Sequence, residues 1–174
     1  MRFALLIVAV VLFTSCRTET GVPPPTQIPS QPYFARVMLD MTPGRPQPWG
    51  AAIRSGVDKE FPNLNWRWLS SPSSFSFELE NREDWQLELH LTVVDKVLAQ
   101  VGPQRLIVLL NGKELTRTTL EKPGPVQLTT PAQPGPKPTL DLQIEPCLPQ
   151  PYGPPYCALL HSLGFARQLT GDMR

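Results

Sequence analysis

The chain is poor in the residues that most often carry chemistry. It has three cysteines and two histidines in 174 residues. Two isolated histidines, His90 and His161, do not make a zinc site, which needs three or four ligands. A catalytic histidine also needs a positioned partner, and the sequence nominates none. Charge of one sign is missing as well: the formal net charge is +1, which argues against a nucleic-acid partner and against attraction to anionic lipid. There is no Gly-x-Ser-x-Gly, phosphate loop or dinucleotide fingerprint, and so no motif for those chemistries. No internal repeat is visible, which makes propellers and solenoids poor candidates. No segment sustains a helical period over ten residues. Ser55 to Phe61 and Val94 to Gln100 are single turns at most. No cofactor is expected.

What is present begins with the leader. Arg2 is followed by an unbroken apolar run from Phe3 to Phe13, then Thr14, Ser15 and Cys16. The run is too short to span a bilayer as a mature helix and reads as a secretory signal. Phe13-Thr14-Ser15-Cys16 resembles the lipobox of bacterial lipoproteins: a large apolar residue, two small ones and the cysteine to be lipidated. The resemblance implies a diacylglyceryl group on Cys16, cleavage after Ser15, and a membrane contact made through N-terminal lipid. Two or more acyl chains anchor stably, at about 0.8 kcal/mol per buried CH₂. An ordinary secretory signal with a coincidental cysteine, or an uncleaved anchor, are the alternatives. Arg17 is not the aspartate that favours inner-membrane retention in well-studied Gram-negative bacteria. The expected location is the cell envelope, outside the cytoplasm.

Three regions follow: a signal peptide over 1–15, a lipidated cysteine with a tether over 16–32, and a domain over 33–174. The tether carries Pro23-Pro24-Pro25, which favours extended polyproline geometry. Residues 16–174 suffice for one domain with a real core. Loss of Arg2 leaves basic and acidic residues in balance.

Proline, at 22 residues, punctuates a series of short apolar runs. Phe34 to Leu39 predicts a first strand. Residues 43–63 read as loop, with Trp49 to Ile53 packing inward. Trp66 to Leu69 precedes a Ser-Ser-Pro-Ser-Ser turn. Phe75, Phe77 and Leu79 alternate with Ser76, Glu78 and Glu80. Trp85, Leu87, Leu89, Leu91 and Val93 alternate with Gln86, Glu88, His90 and Thr92. The short polar turn between these two runs suggests that they pair as antiparallel neighbours. Arg105 to Leu110 runs into Asn111-Gly112, a type I′ hairpin signal, and Lys113 to Leu120 returns. Val126 to Thr129, Thr139 to Glu145 and Leu163 to Leu169 complete the set. Pro131 to Pro138 is a stiff connection. Seven to eight short strands with breakers near every ten residues predict an all-β antiparallel sandwich.

Arg67-Trp68, Leu110-Asn111-Gly112 and Leu163-Gly164-Phe165 stand in an order similar to that of the jelly-roll, galactose-binding-like domains associated with bacterial glycosyltransferases. The resemblance spans roughly residues 64–170. It implies a jelly-roll fold and a sugar-related context; it does not imply catalysis. Leu159 and His161 depart from the Asp and Arg of that family's closing motif.

Export places Cys147 and Cys157 in an oxidising compartment, where an even pair favours a disulfide. Closing the proline-rich loop between them adds about 2–3 kcal/mol. A redox pair or metal site is the alternative, but the spacing is not CxxC. Trp49, Trp66 and Trp68 are the candidate ligand-binding residues, able to stack on a sugar ring or anchor a protein. Against this, at least two of them would fill the core, with Trp66 and Trp68 taken to lie on opposite faces of one strand. His90 reads as a solvated strand residue. The acidic run Glu78, Glu80, Glu83 and Asp84 reads as a solvated turn, not a calcium site. These readings rank a non-catalytic binding or interaction module first, with an envelope protein or a glycan as partner. A purely structural lipoprotein comes second, and a hydrolase acting on envelope polymers comes third.

Overall fold

The computed structural model describes residues 33–59 and 62–169. The segments read as a lipobox ending at Cys16 and as a tether over 16–32 lie outside the described residues. Among the described residues, nine strands and one short helix follow in order: β1 (Tyr33–Asp40), β2 (Ala51–Val57), β3 (Arg67–Phe77), β4 (Trp85–Val93), α1 (Asp95–Val101), β5 (Gln104–Leu110), β6 (Lys113–Leu120), β7 (Gly124–Ala132), β8 (Thr139–Glu145) and β9 (Ala158–Leu169).

All pairings are antiparallel. One layer runs β1-β9-β4-β7 and the other β2-β3-β8-β5-β6. Apart from the hairpins β2–β3 and β5–β6, each connection crosses from one layer to the other. That is the jelly-roll path, with β2 as an added edge strand. The layers are stitched where Arg67–Leu69 of β3 pair with Leu160–Ala158 of β9. At His161 the register of β9 shifts, and from Ser162 onward β9 pairs with β1 instead of β3.

The alternation read from sequence sets the buried faces. Phe75, Phe77, Leu87, Leu89, Leu91 and Val93 are all buried, as are Leu140, Leu142 and Ile144. Phe77 and Phe165 meet edge to face across the layers, with ring centroids 5.1 Å apart, a favoured aromatic geometry.

Four expectations are corrected. β3 and β4 do not pair with each other: β3 pairs with β2, β8 and β9, and β4 pairs with β7 and β9. Alternation specifies which face is buried, not which strand lies alongside. The Ser-Ser-Pro-Ser-Ser segment is not a turn but the middle of β3. Serine hydroxyls satisfy the backbone there: Ser71 Oγ accepts from the Ile144 N–H at 3.0 Å, and Ser73 Oγ donates to the Gly56 carbonyl at 2.9 Å. Residues 51–57, read as loop and turn, form β2. The segment around Val94–Gln100, read as a single turn at most, forms the seven-residue helix α1 (Asp95–Val101), which buries Val97.

The Asn-Gly turn is as expected: Asn111 has φ 52° and Gly112 φ 76°. Asn111 does more than turn the chain. Its Nδ2 donates to the Pro134 carbonyl at 3.0 Å, and its Oδ1 accepts from the Thr139 N–H at 2.9 Å. Gly164 has a different reason to be glycine. A Cβ there would collide with the Val37 carbonyl oxygen and Met38 of β1.

Candidate functional site

The two ends of the sandwich differ. One carries the Asn111-Gly112 turn and the connections 78–84 and 133–138, and β1 starts there. The other carries α1, Trp66 and the loop 146–157. That loop is closed by the Cys147–Cys157 disulfide, whose Cα atoms lie 4.5 Å apart. Leu148 and Tyr156 bridge its base through reciprocal backbone bonds of 2.8 and 2.9 Å. Gln104, fully buried at the start of β5, donates from Nε2 to the carbonyls of Pro146 and Cys157 at 2.8 and 3.1 Å. One side chain therefore holds both feet of the loop.

Trp66 and Trp68 stand beside this loop. They are two residues apart and share the outer face, because a strand repeats its direction every second residue. This corrects the expectation of opposite faces. Leu69 goes to the core, while Trp68 pairs across to the half-buried Leu159. The two indoles meet edge to face at 6.0 Å, and Trp68 stacks on Tyr156 at 4.4 Å with the rings 8° from parallel. Neither tryptophan is buried in the core; both are half-buried. The outer row continues across β9 to Thr92, whose Oγ1 lies 2.8 Å from His161 Nε2. At the apex of the loop Tyr152 is 97% exposed.

Tyr152 and Tyr156 were not singled out from sequence. The available signal was two tyrosines in a proline-rich loop flanked by cysteines. Trp49 is not part of this cluster. It does not pack inward but is 89% exposed, beside Ala51, which pairs with Phe77 at the far end of β3. The run from Trp68 to Phe77 separates the two sites by roughly 30 Å at the rise of an extended strand.

The remaining polar candidates resolve as follows. Among the described residues no three His, Cys, Asp or Glu side chains converge as a metal site. The acidic turn is held by Arg167, whose guanidinium reaches Glu80 at 2.9 Å and Asp84 at 3.8 Å and lies 5.5 Å from the Trp85 ring centre. His90 differs from the solvated residue expected, because its Nε2 is buried with no hydrogen-bond partner. Asp40 lies beyond it on β1. Burial alone would raise its pKa. Hydrogen bonds from Thr42 and the charge of Arg45 outweigh that and hold it below the ordinary value of 3.8.

No family model and no curated protein matches the chain. Solved structures give distant similarities. An acetyl xylan esterase from the rumen bacterium Butyrivibrio proteoclasticus aligns at a TM-score of 0.44 with 13% identity, over 83% of this chain and 36% of that one. A family 35 carbohydrate binding module from Clostridium thermocellum aligns at 0.38 with 6% identity, over 78% of this chain and 97% of that one. A 4-O-methyl-alpha-glucuronidase with specificity for decorated arabinogalactans aligns at 0.39 with 10% identity, over 58% of this chain and only 14% of that one. The strand order described above, and not these alignments, assigns the jelly-roll sandwich.

Proposed function

We propose that this chain is a membrane-tethered, non-catalytic binding module of the cell envelope that engages a glycan through its disulfide-stapled aromatic end. The observation that supports this most is Tyr152, displayed almost wholly in solvent on a loop braced by a disulfide, a backbone bridge and Gln104. A rigid aromatic gives up little conformational freedom when it docks. Trp68 and Tyr156, already stacked, form a firm wall at the base of that loop. The tether reading rests on the Phe13-to-Cys16 motif. β1 starts at the end opposite Tyr152, so a chain held through residues before Tyr33 would present its aromatic end outward.

A second reading, an envelope protein as partner, is favoured by the same clustering of tyrosine and tryptophan, which are enriched where proteins dock. A glycan array probed with the purified protein, alongside crosslinking in cells, separates the two. Tyr152→Ala should weaken glycan binding at least tenfold and leave thermal melting unchanged, since the ring packs on nothing. Trp68→Ala should weaken both. Wild-type affinity in Tyr152→Ala would refute the surface named here. Metabolic fatty-acid labelling should vanish in Cys16→Ser; persistent label would remove the lipid anchor.

A further inference from the structure

A second feature lies on the outer face of β1, β9 and β4, where an open cavity of about 410 Å³ is bordered by Arg45, Pro46 and Pro48 of the β1–β2 connection. That volume is within the range of roughly 300–1,000 Å³ seen for small-ligand pockets. Its floor is a cross-strand row, Asp40–Ser162–His90, with Glu88 one step along β4. Met38, Pro46 and Pro48 supply apolar wall. Gln47 clamps the end of β1, donating from Nε2 to the Asp40 carbonyl at 2.8 Å and accepting from the Asp40 N–H at 3.3 Å.

The electrostatics narrow the ligand. Arg36 faces Glu88 at 3.9 Å, and Arg45 faces Asp40 at 3.2 Å. Each cation already has its anion, so a charged ligand would have to break a pair, whereas a polyol can donate to the carboxylates and accept from the guanidiniums at once. His90 adds a buried nitrogen with no partner of its own. The row is not a hydrolytic relay, because the serine lies between the aspartate and the histidine, and a relay needs the histidine in the middle.

We infer that this cavity is a saccharide subsite that takes one or two neutral pyranose residues. Glu88, His90 and Ser162 hydrogen-bond their hydroxyls, and Met38, Pro46 and Pro48 meet their apolar faces. The subsite shares a ligand class with the function proposed above and so rests on that reading, but it uses none of the same residues. The two places adjoin. Along β4, His90 is two residues, about 7 Å, from Thr92 in the Trp68 row, so linked sugars could occupy both.

The test titrates the purified ¹⁵N-labelled protein with methyl glycosides and disaccharides of glucose, galactose, mannose and xylose, and with glucuronic acid. Amide shifts map the site, and calorimetry gives Kd. A neutral sugar should move the amides of residues 36–40, 88–90 and 162. Glu88→Gln should weaken it at least tenfold, and Ser162→Trp should abolish it by filling the space. Should Ser162→Trp misfold, Glu88→Gln decides, because it keeps the side-chain shape. The inference is overturned if both variants bind as wild type while Tyr152→Ala does not, or if glucuronic acid is preferred. Shifts confined to the cavity and unaffected by Tyr152→Ala would uphold it and remove the aromatic end as the contact surface. Absence of binding by any saccharide overturns both.

Discussion

Breaking the Cys147–Cys157 bond is the most informative perturbation, because its effect on stability can be calculated beforehand. The cysteines are 10 residues apart. Loop-closure entropy for that length gives about 2.7 kcal/mol at 25 °C. Four of the nine intervening residues are proline, which already restricts the unfolded loop and lowers the expected value to about 2 kcal/mol. For a domain of this size that corresponds to roughly 6–10 °C in melting temperature. Cys157 is fully buried, so the protein should be reduced in urea and refolded under reductant. Urea titrations of the oxidised and reduced forms should then differ in midpoint, with the reduced slope equal or slightly steeper because its unfolded chain is less constrained. The reduced form should also bind ligand more weakly, because Tyr156 adjoins Cys157 and supports Trp68. Superimposed titrations would refute the reasoning. They would mean that the Leu148–Tyr156 bridge and Gln104 hold the loop without the covalent bond.

Gly112→Val should destabilise the domain by about 1–2 kcal/mol or more, because a β-branched residue resists the positive φ observed there. No atom lies within 4 Å of a Cβ at that position, so the loss is conformational, and unchanged melting would contradict the turn assignment. Asp40 has a depressed pKa, so its stabilising contribution is present above the ordinary carboxylate value of 3.8 and is lost as pH falls through the lower folded-state value. Asp40→Asn should therefore flatten the acid limb of the stability profile below pH 4, as followed by circular dichroism, whereas an identical limb in the variant would assign acid sensitivity elsewhere.

Much of the fold was legible in the sequence, because burial on one face imposes alternation. The faces of β4 and β8, the Asn-Gly hairpin and the disulfide all follow from local rules. Strand partners were not legible: β3 and β4 adjoin in sequence yet lie in opposite layers. Serines that look like turn residues instead satisfy backbone groups inside β3. The candidate site was half legible. The tryptophans stood out by type, but their spacing of two already placed both on one face. Tyr156 becomes visible only when the loop folds back onto Trp68. The open cavity on β1, β9 and β4 depends on residues from three strands and the Gln47 clamp, which no local pattern announces.

The position of β9 has a consequence for how the domain forms. This strand is last in order, yet it is the partner of β1, β4 and the start of β3. Until it exists, one layer has no centre and the stitch between layers cannot close. β2 and β3 can pair as a hairpin at once, but β1 has no strand to pair with until β9 is in place. Folding is therefore a late, all-or-none event governed by long-range contacts, which are slow to form.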